Sequence, residues 1–179
     1  RRFAQVSHEY LIEQVQYTGI ETIIRSSIGR TGNIDLNFNH PVKALFWTTN
    51  GYNYLDNVKI QLNGHDRFTE QSSDYFHLVQ PYECGLGHYR SLNRQTRMWG
   101  SVVNIVNTNP CGMYSFCLKP REHQPSGSCN FSRIDNARLS YISGVDTTND
   151  NVDDNLHLFA LNYNVLRIMS GMGGLTYSN

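Results

Sequence analysis

The chain has 179 residues and no net charge at neutral pH, and only 17% of its residues are charged. That length fits one domain able to bury a core without disulfides or metals. The neutral balance argues against a grip on nucleic acid through a basic face, and no apolar run approaches the ~18 residues of a membrane helix.

Leu11 to Thr18 carries Val15 and Tyr17 between glutamines and reads as a strand. Ile34, Leu36 and Phe38 alternate with Asn33, Asp35, Asn37 and Asn39. Successive side chains of a strand point to opposite faces, so this alternation predicts one core face and one wetter face. Asn39-His40-Pro41 ends the run, because proline cannot donate to a ladder. Val42 to Thr49 is apolar on both faces, which predicts an inner strand or a covered outer face. Val58, Ile60 and Leu62 alternate with Lys59, Gln61 and Asn63, and Asn63-Gly64 suits a hairpin turn.

The rhythm breaks in the insertion at 69–110. Ser73 to Gln80 predicts a short helix with Ser73 as its N-cap. A basic piece with Arg90, Arg94, Arg97 and nearby Trp99 follows, and Val102 to Val106 reads as a further strand. Tyr114, Phe116 and Leu118 then alternate with Ser115, Cys117 and Lys119, and Lys119-Pro120 ends that strand. Ala137, Leu139 and Tyr141 alternate with Asn136, Arg138 and Ser140. Gly144 to Asn155 is an acidic, Asn-rich loop. Leu156 to Met169 is long enough for one long strand or two short ones. Gly171, Gly173 and Gly174 are expected to free the last segment from regular structure. The expected fold is all-β, about seven or eight antiparallel strands with turn-rich joints in a sandwich or jelly roll, in a single domain over 1–179. The 19 asparagines suit its many turns.

Little of this resembles an active site. Asp146, Asp150, Asp153 and Asp154, with Asn149 and Asn151, cluster oxygens as a calcium loop does. The cluster lacks the central glycine and terminal glutamate of an EF-hand, so a solvated turn is expected. The seven histidines are scattered, with no His-x-x-x-His, and no metal or cofactor is expected. Cys84, Cys111, Cys117 and Cys129 lack C-x-x-C spacing and are expected as reduced thiols, Cys117 as a small buried hydrophobe. Ser126-Gly127-Ser128-Cys129, between Pro125 and Asn130, is turn chemistry rather than a nucleophile elbow. Asn130-Phe131-Ser132 fits the N-glycosylation pattern, but a structural role is favoured. Asp135 is expected to pair with Arg133 or Arg138. The chain has 12 arginines against 3 lysines, and 11 tyrosines. Arginine and tyrosine are enriched in interfaces and lysine is depleted, so Arg90, Arg94, Arg97 and Trp99 are candidate interface residues.

Two segments carry the strongest signal. One is His123-Gln124-Pro125-Ser126-Gly127-Ser128-Cys129-Asn130-Phe131-Ser132-Arg133-Ile134-Asp135-Asn136; the other runs from Asn162 to Gly174. Phe3-Ala4-Gln5, His8 to Gln14, Leu36 to Pro41, Lys59 to Phe68 and Tyr114-Ser115-Phe116 precede them in order. Together these resemble the major capsid proteins of nucleocytoplasmic large DNA viruses, of the iridovirus, phycodnavirus, asfarvirus and mimivirus kinds. The resemblance implies the second half of a double jelly roll, the first jelly roll being absent. It implies trimers of pseudo-hexameric outline tiling an icosahedral virion shell assembled in the host cytoplasm. The implied partners are further copies, neighbouring capsomers and minor capsid proteins, with no direct nucleic-acid contact and only indirect contact with an inner membrane. It carries no catalytic residues. His123, Pro125, Gly127, Asn130, Arg133 and Asp135 become the family-motif turn. The insertion is expected at an outer tower of the capsomer, where its arginines and aromatics meet neighbours or host. The rival readings are a glycan- or receptor-binding module on a virion surface and a cupin-type metalloenzyme.

Overall fold

A computed structural model of the chain describes residues 5–23, 31–50, 55–85, 94–98, 101–105, 111–143 and 154–177. In chain order the strands are β1 (His8–Ile23), β2 (Thr31–Asp35), β3 (Pro41–Asn50), β4 (Leu55–Leu62), β5 (His65–Asp66) and β6 (Gln71–Ser72). A wide π-helical turn (Tyr75–Val79) runs into α1 (Gln80–Glu83). Then come β7 (Arg94–Met98), β8 (Ser101–Ile105), β9 (Gly112–Ser115), β10 (Cys129–Asn130), β11 (Ala137–Ser143), β12 (Asp154–Met169) and β13 (Met172–Leu175).

Among the described residues, every strand pairing is antiparallel. The first sheet runs β1-β12-β3, with β9 and β10 beyond β3 and β13 beside the end of β12. The second runs β2-β11-β4, with β5 and β6 beyond β4, and β7 and β8 form a separate ribbon. Successive long strands switch sheets: β1, β3, β9 and β12 lie in one, β2, β4 and β11 in the other. That wrapping makes the sandwich a jelly roll.

The sheets meet over one core. Ile34, Leu36 and Phe38, Val58 and Ile60, and Leu139 with Ala137 and Tyr141 come from the second sheet and its continuation. They face Val42, Leu45, Trp47, Leu156, Leu158 and Ala160 of the first. Leu62 and Phe116 are half-buried at its margin. Two glycines make notches for core rings. A Cβ on Gly32 would stand 2.3 Å from the Tyr141 ring, and one on Gly112 would stand 2.2 Å from Trp47. Each glycine lies directly opposite its aromatic in the ladder, so the ring lies flat across bare backbone.

The structure differs from the sequence reading at several points. The glycines near the end do not free it: Ser170 and Gly171 both take positive φ, 53° and 80°, and turn the chain back so that β13 pairs with β12. The helical segment begins at Ser73 itself, one residue before the start its expected cap implied. Ser73 is buried, and the hydroxyl facing the first turn is that of Ser72, which accepts the Asp74 N–H at 3.4 Å. The strand at Tyr114 stops at Ser115, so Leu118 lies off the core face and is 83% exposed. In β1 the glutamines turn inward, while Val15 and Tyr17 face out. The expected strand at 102–106 is β8. Of the acidic loop only Asp154 and Asn155 are described, at the start of β12; Asp146, Asp150, Asp153, Asn149 and Asn151 lie outside the described residues.

Candidate functional site

The strand ends sort the loops into two groups. Ile23 pairs with Asp154, Asn155 with Asn50, and Ser143 with Leu55, so these ends lie together at one end of the sandwich. At the other end converge the turn 36–41, the Asn63-Gly64 turn, the segment 119–136 and the β12–β13 hairpin. The segments that carried the resemblance thus meet at one pole, although up to 150 residues separate the partners they bring together.

Side-chain amides fasten that pole. Gln16 clamps Asn39 twice: Nε2 donates to its carbonyl at 2.7 Å and Oε1 accepts its N–H at 3.0 Å. Asn63 adopts φ 52°, the left-handed conformation that Asn tolerates in a tight turn. Its Oδ1 accepts the N–H groups of Asp135 and Asn136 at 3.0 and 3.2 Å, and its own N–H donates to the Asn136 carbonyl at 2.6 Å. Asn164 Nδ2 donates to Gln14 Oε1 at 3.0 Å and to the Tyr177 carbonyl at 2.9 Å. Asn130 Oδ1 accepts the Ser132 N–H at 3.1 Å and caps a one-turn 3-10 helix, Phe131–Arg133. Its amide group therefore serves as a cap in the folded chain. Ser132 Oγ in turn accepts the N–H of His40, whose carbonyl takes the Phe131 N–H at 3.0 Å. His40 sits at φ 65° directly before Pro41, a backbone state held by these contacts. Phe131 drives into the core, edge-on to Phe38 and Phe116 at 6.1 and 5.7 Å.

The side chains of the remaining motif residues lie outside this network. His123 is 98% exposed, with Nδ1 4.0 Å from Glu13. Pro125, Arg133 and Asp135 are exposed. Gly127 (φ 136°) lets the chain cross the Phe116 carbonyl, which a Cβ would approach to 3.2 Å. Arg138 pairs with Asp35 at 3.0 Å, rather than with the expected Asp135. Between these segments lies an open polar groove of about 500 Å³, rimmed by Asp35, Asn37, Asn39, Asp135 and Asn136. Arg94 and Arg97 lie on β7, with side chains outside the described set, and Arg90 and Trp99 lie outside the described residues.

A buried lysine escaped the sequence reading. β3 bulges at Lys43, the extra residue between the Val42–Asn162 and Ala44–Leu161 pairs. Its side chain has no solvent exposure. Nζ donates to Glu13 Oε1 and to the Glu122 carbonyl at 3.0 Å, and lies 5.4 Å from the centre of the Tyr163 ring. Burial pushes the Tyr163 hydroxyl pKa up, and Lys43 partly opposes that shift. Nothing in an apolar stretch with one lysine marks a partner 30 residues away.

The two outer faces of the sandwich differ. The second sheet carries polar pairs outside: Lys59–Asp66 at 3.3 Å, Asn57–Glu70 at 2.8 Å and Arg138–Asp35. The first carries Leu11, Val15, Tyr17 and Ile20, exposed by 52, 63, 47 and 59%. Tyr17 stacks on Phe159 at 4.8 Å, extending the apolar strip onto β12. Scattered apolar residues are ordinary on a surface, but a contiguous strip marks a contact site. Among the described residues no group of three or more His, Cys, Asp or Glu side chains is placed to hold a metal ion.

A jelly roll fastened at one pole and apolar on one outer face has the form of a packing unit. The profile of the family described as "Large eukaryotic DNA virus major capsid protein" matches residues 1–54 and 99–174, and the chain belongs to that family. It is 49% identical to the major capsid protein of Pyramimonas orientalis virus, over all of this chain and 45% of that one. It is 39% identical to the major capsid protein of Paramecium bursaria Chlorella virus 1, over 99% of this chain and 50% of that one. The crystal structure of PBCV-1 VP54, fitted into a reconstruction of the virophage Sputnik, superposes with a TM-score of 0.77 at 36% identity, covering 99% of this chain and 53% of that one. The chain spans about half the length of the relatives it matches.

Proposed function

We propose that this chain is a structural, non-enzymatic unit of a viral shell, one of two jelly rolls in a major capsid protein. Three such proteins form a trimer of six-lobed outline, and trimers tile an icosahedral capsid, contacting neighbouring capsomers and minor capsid proteins. Assembly takes place in the host cytoplasm. The observation that carries the reading is the one-sided apolar face of β1 and β12, in a member of this family. Obligate interfaces often bury more than ~2,000 Å² in total, and hydrophobic burial needs no directional chemistry to hold them. The groove at the fastened pole, with its rim of amides and carboxylates, suits contact with a neighbour more than turnover of a substrate.

Sedimentation and electron microscopy of the capsid protein carrying this unit test the proposal. Six-lobed trimers are expected. The double variant Val15→Glu, Tyr17→Glu should retain its β-sheet circular dichroism and sediment as a monomer. A wild-type monomer, or trimers indifferent to both charges, would refute it.

A further inference from the structure

Two thiols share one hydroxyl where the helical segment docks on the first sheet. Ser115, the last residue of β9, places Oγ 3.4 Å from Cys117 Sγ, and the same hydroxyl hydrogen-bonds the Cys84 thiol. Cys84 closes α1, its N–H donating to the Gln80 carbonyl at 3.0 Å. Gln80 Oε1 accepts the Ser115 N–H at 3.3 Å, so both ends of this helical turn hold the same residue. Cys117 is fixed from the other side. Its N–H donates to Ser115 Oγ at 3.2 Å, its carbonyl accepts that hydroxyl at 2.7 Å, and the backbone at Gly127 crosses it so closely that a Cβ would lie 3.3 Å from Cys117 Cα. Cys117 is buried and Cys84 half-buried, and all four cysteines are reduced in the structure. Cys111 instead contacts the Gly112 carbonyl, and Cys129 lies in β10 beside β3.

From this arrangement we infer that Cys84 and Cys117 form a latent disulfide, closed by thiol–disulfide exchange once the chain leaves a reducing compartment. The inference stands on the local geometry and does not depend on the shell function. Disulfides persist in oxidising surroundings and are removed in reducing ones. The chemistry needs a low-molecular-weight disulfide such as oxidised glutathione. The more exposed Cys84, as thiolate, attacks one glutathione sulfur, breaks its S–S bond and releases one glutathione. Cys117, as thiolate, then attacks Cys84 Sγ in the mixed disulfide and releases the second. Two protein thiols give up two protons and two electrons, and one glutathione disulfide becomes two thiols. Burial holds the Cys84 thiol above its ordinary pKa, with the Ser115 hydrogen bond opposing. Exchange is therefore slow at neutral pH and quickens as pH rises. The closed bridge joins residue 84, within the insertion, to residue 117, beyond its end.

The test incubates the purified chain in glutathione redox buffers, blocks remaining thiols and digests it with trypsin. The expected product joins the peptide 68–90, whose one cysteine is Cys84, to the peptide 98–121, which holds Cys111 and Cys117. It should be lost in Cys84→Ser and Cys117→Ser, and kept in Cys111→Ser and Cys129→Ser. The oxidised chain should melt several degrees above the reduced one, as a bridge that fits the fold constrains only the unfolded state. Cys84 is half-buried, so its serine variant folds and decides the matter even if Cys117→Ser does not. No joined peptide from folded protein at an oxidising poise, a joined peptide that survives Cys117→Ser, or a lower melting temperature after oxidation would each overturn the inference.

Discussion

Removing the carboxylate of Glu13 while leaving Lys43 in place isolates the cost of an unpaired buried charge. Lys43 has no exposed side-chain surface, whereas the Glu13 side chain keeps 28% exposure. Breaking a buried ion pair from one side costs about 3–5 kcal/mol, because the charge left behind is uncompensated. In Glu13→Gln the ammonium keeps the Glu122 carbonyl and the Tyr163 ring. Both contacts are already present in the parent and offset nothing, so the net loss should be about 3–5 kcal/mol. For a chain of this length that lowers the melting temperature by on the order of 10 °C. Lys43→Met keeps the volume and leaves a carboxylate that water can reach, so its loss should be smaller, about 1–2 kcal/mol. The double variant should recover most of what Glu13→Gln loses. Thermal and urea unfolding of all four proteins closes the cycle. A Glu13→Gln protein melting within about 2 °C of the parent, or a double variant no better than that single one, would show that the pair does not hold Lys43 in place.

Other perturbations probe other parts of the sandwich. Gly112→Ala and Gly32→Ala drive a methyl into Trp47 and Tyr141 and should each cost about 1–3 kcal/mol by overpacking; urea midpoints equal to the parent's would contradict the notches. Asn63→Ala removes two side-chain bonds to the 135–136 backbone and a residue suited to φ 52°; a loss of about 2 kcal/mol is expected, with fast amide exchange at Asp135 and Asn136 as the local sign. His77 supplies a pH dependence. It is buried, and desolvation holds its imidazole below the ordinary 6.5, against the opposing Cys111 backbone bond and the Asp74 charge. Its Nδ1 is buried without a hydrogen-bond partner. The unfolded chain therefore takes the proton first, so this stability is complete above about pH 6.5 and is lost as pH falls below that value. His77→Phe should flatten the melting temperature across that window, and an unchanged slope would place the acid sensitivity elsewhere.

What the sequence disclosed follows from how far each interaction reaches along the chain. Val58, Ile60 and Leu139 could be placed because a half-buried strand writes its faces at period two. Asn63-Gly64 was legible as a turn for the same reason: φ of 52° and 80° suits those two residue types locally. Leu118 misled because the alternation continues past the point where the backbone bends. The terminal glycines misled because glycine permits a positive-φ turn as readily as disorder, and pairing with β12 decided between them. The motif at 123–136 was visible as a string, but its meeting with Asn63 and His40 was not. Each partner lies 72 or more residues away from the motif residue it touches. Lys43 was silent for the same reason.

The place of β12 in the first sheet has a consequence for biosynthesis. It lies between β1 and β3, so neither of those strands finds its central neighbour until the stretch Asp154–Met169 has left the ribosome. Until then the nascent polypeptide carries a sixteen-residue ribbon, His8–Ile23, with both edges open, a state prone to mispairing with other chains. A premature stop before Asp154 would remove the centre of a sheet and not merely its margin. Such products should be found with chaperones or proteases and never as a shortened soluble fold.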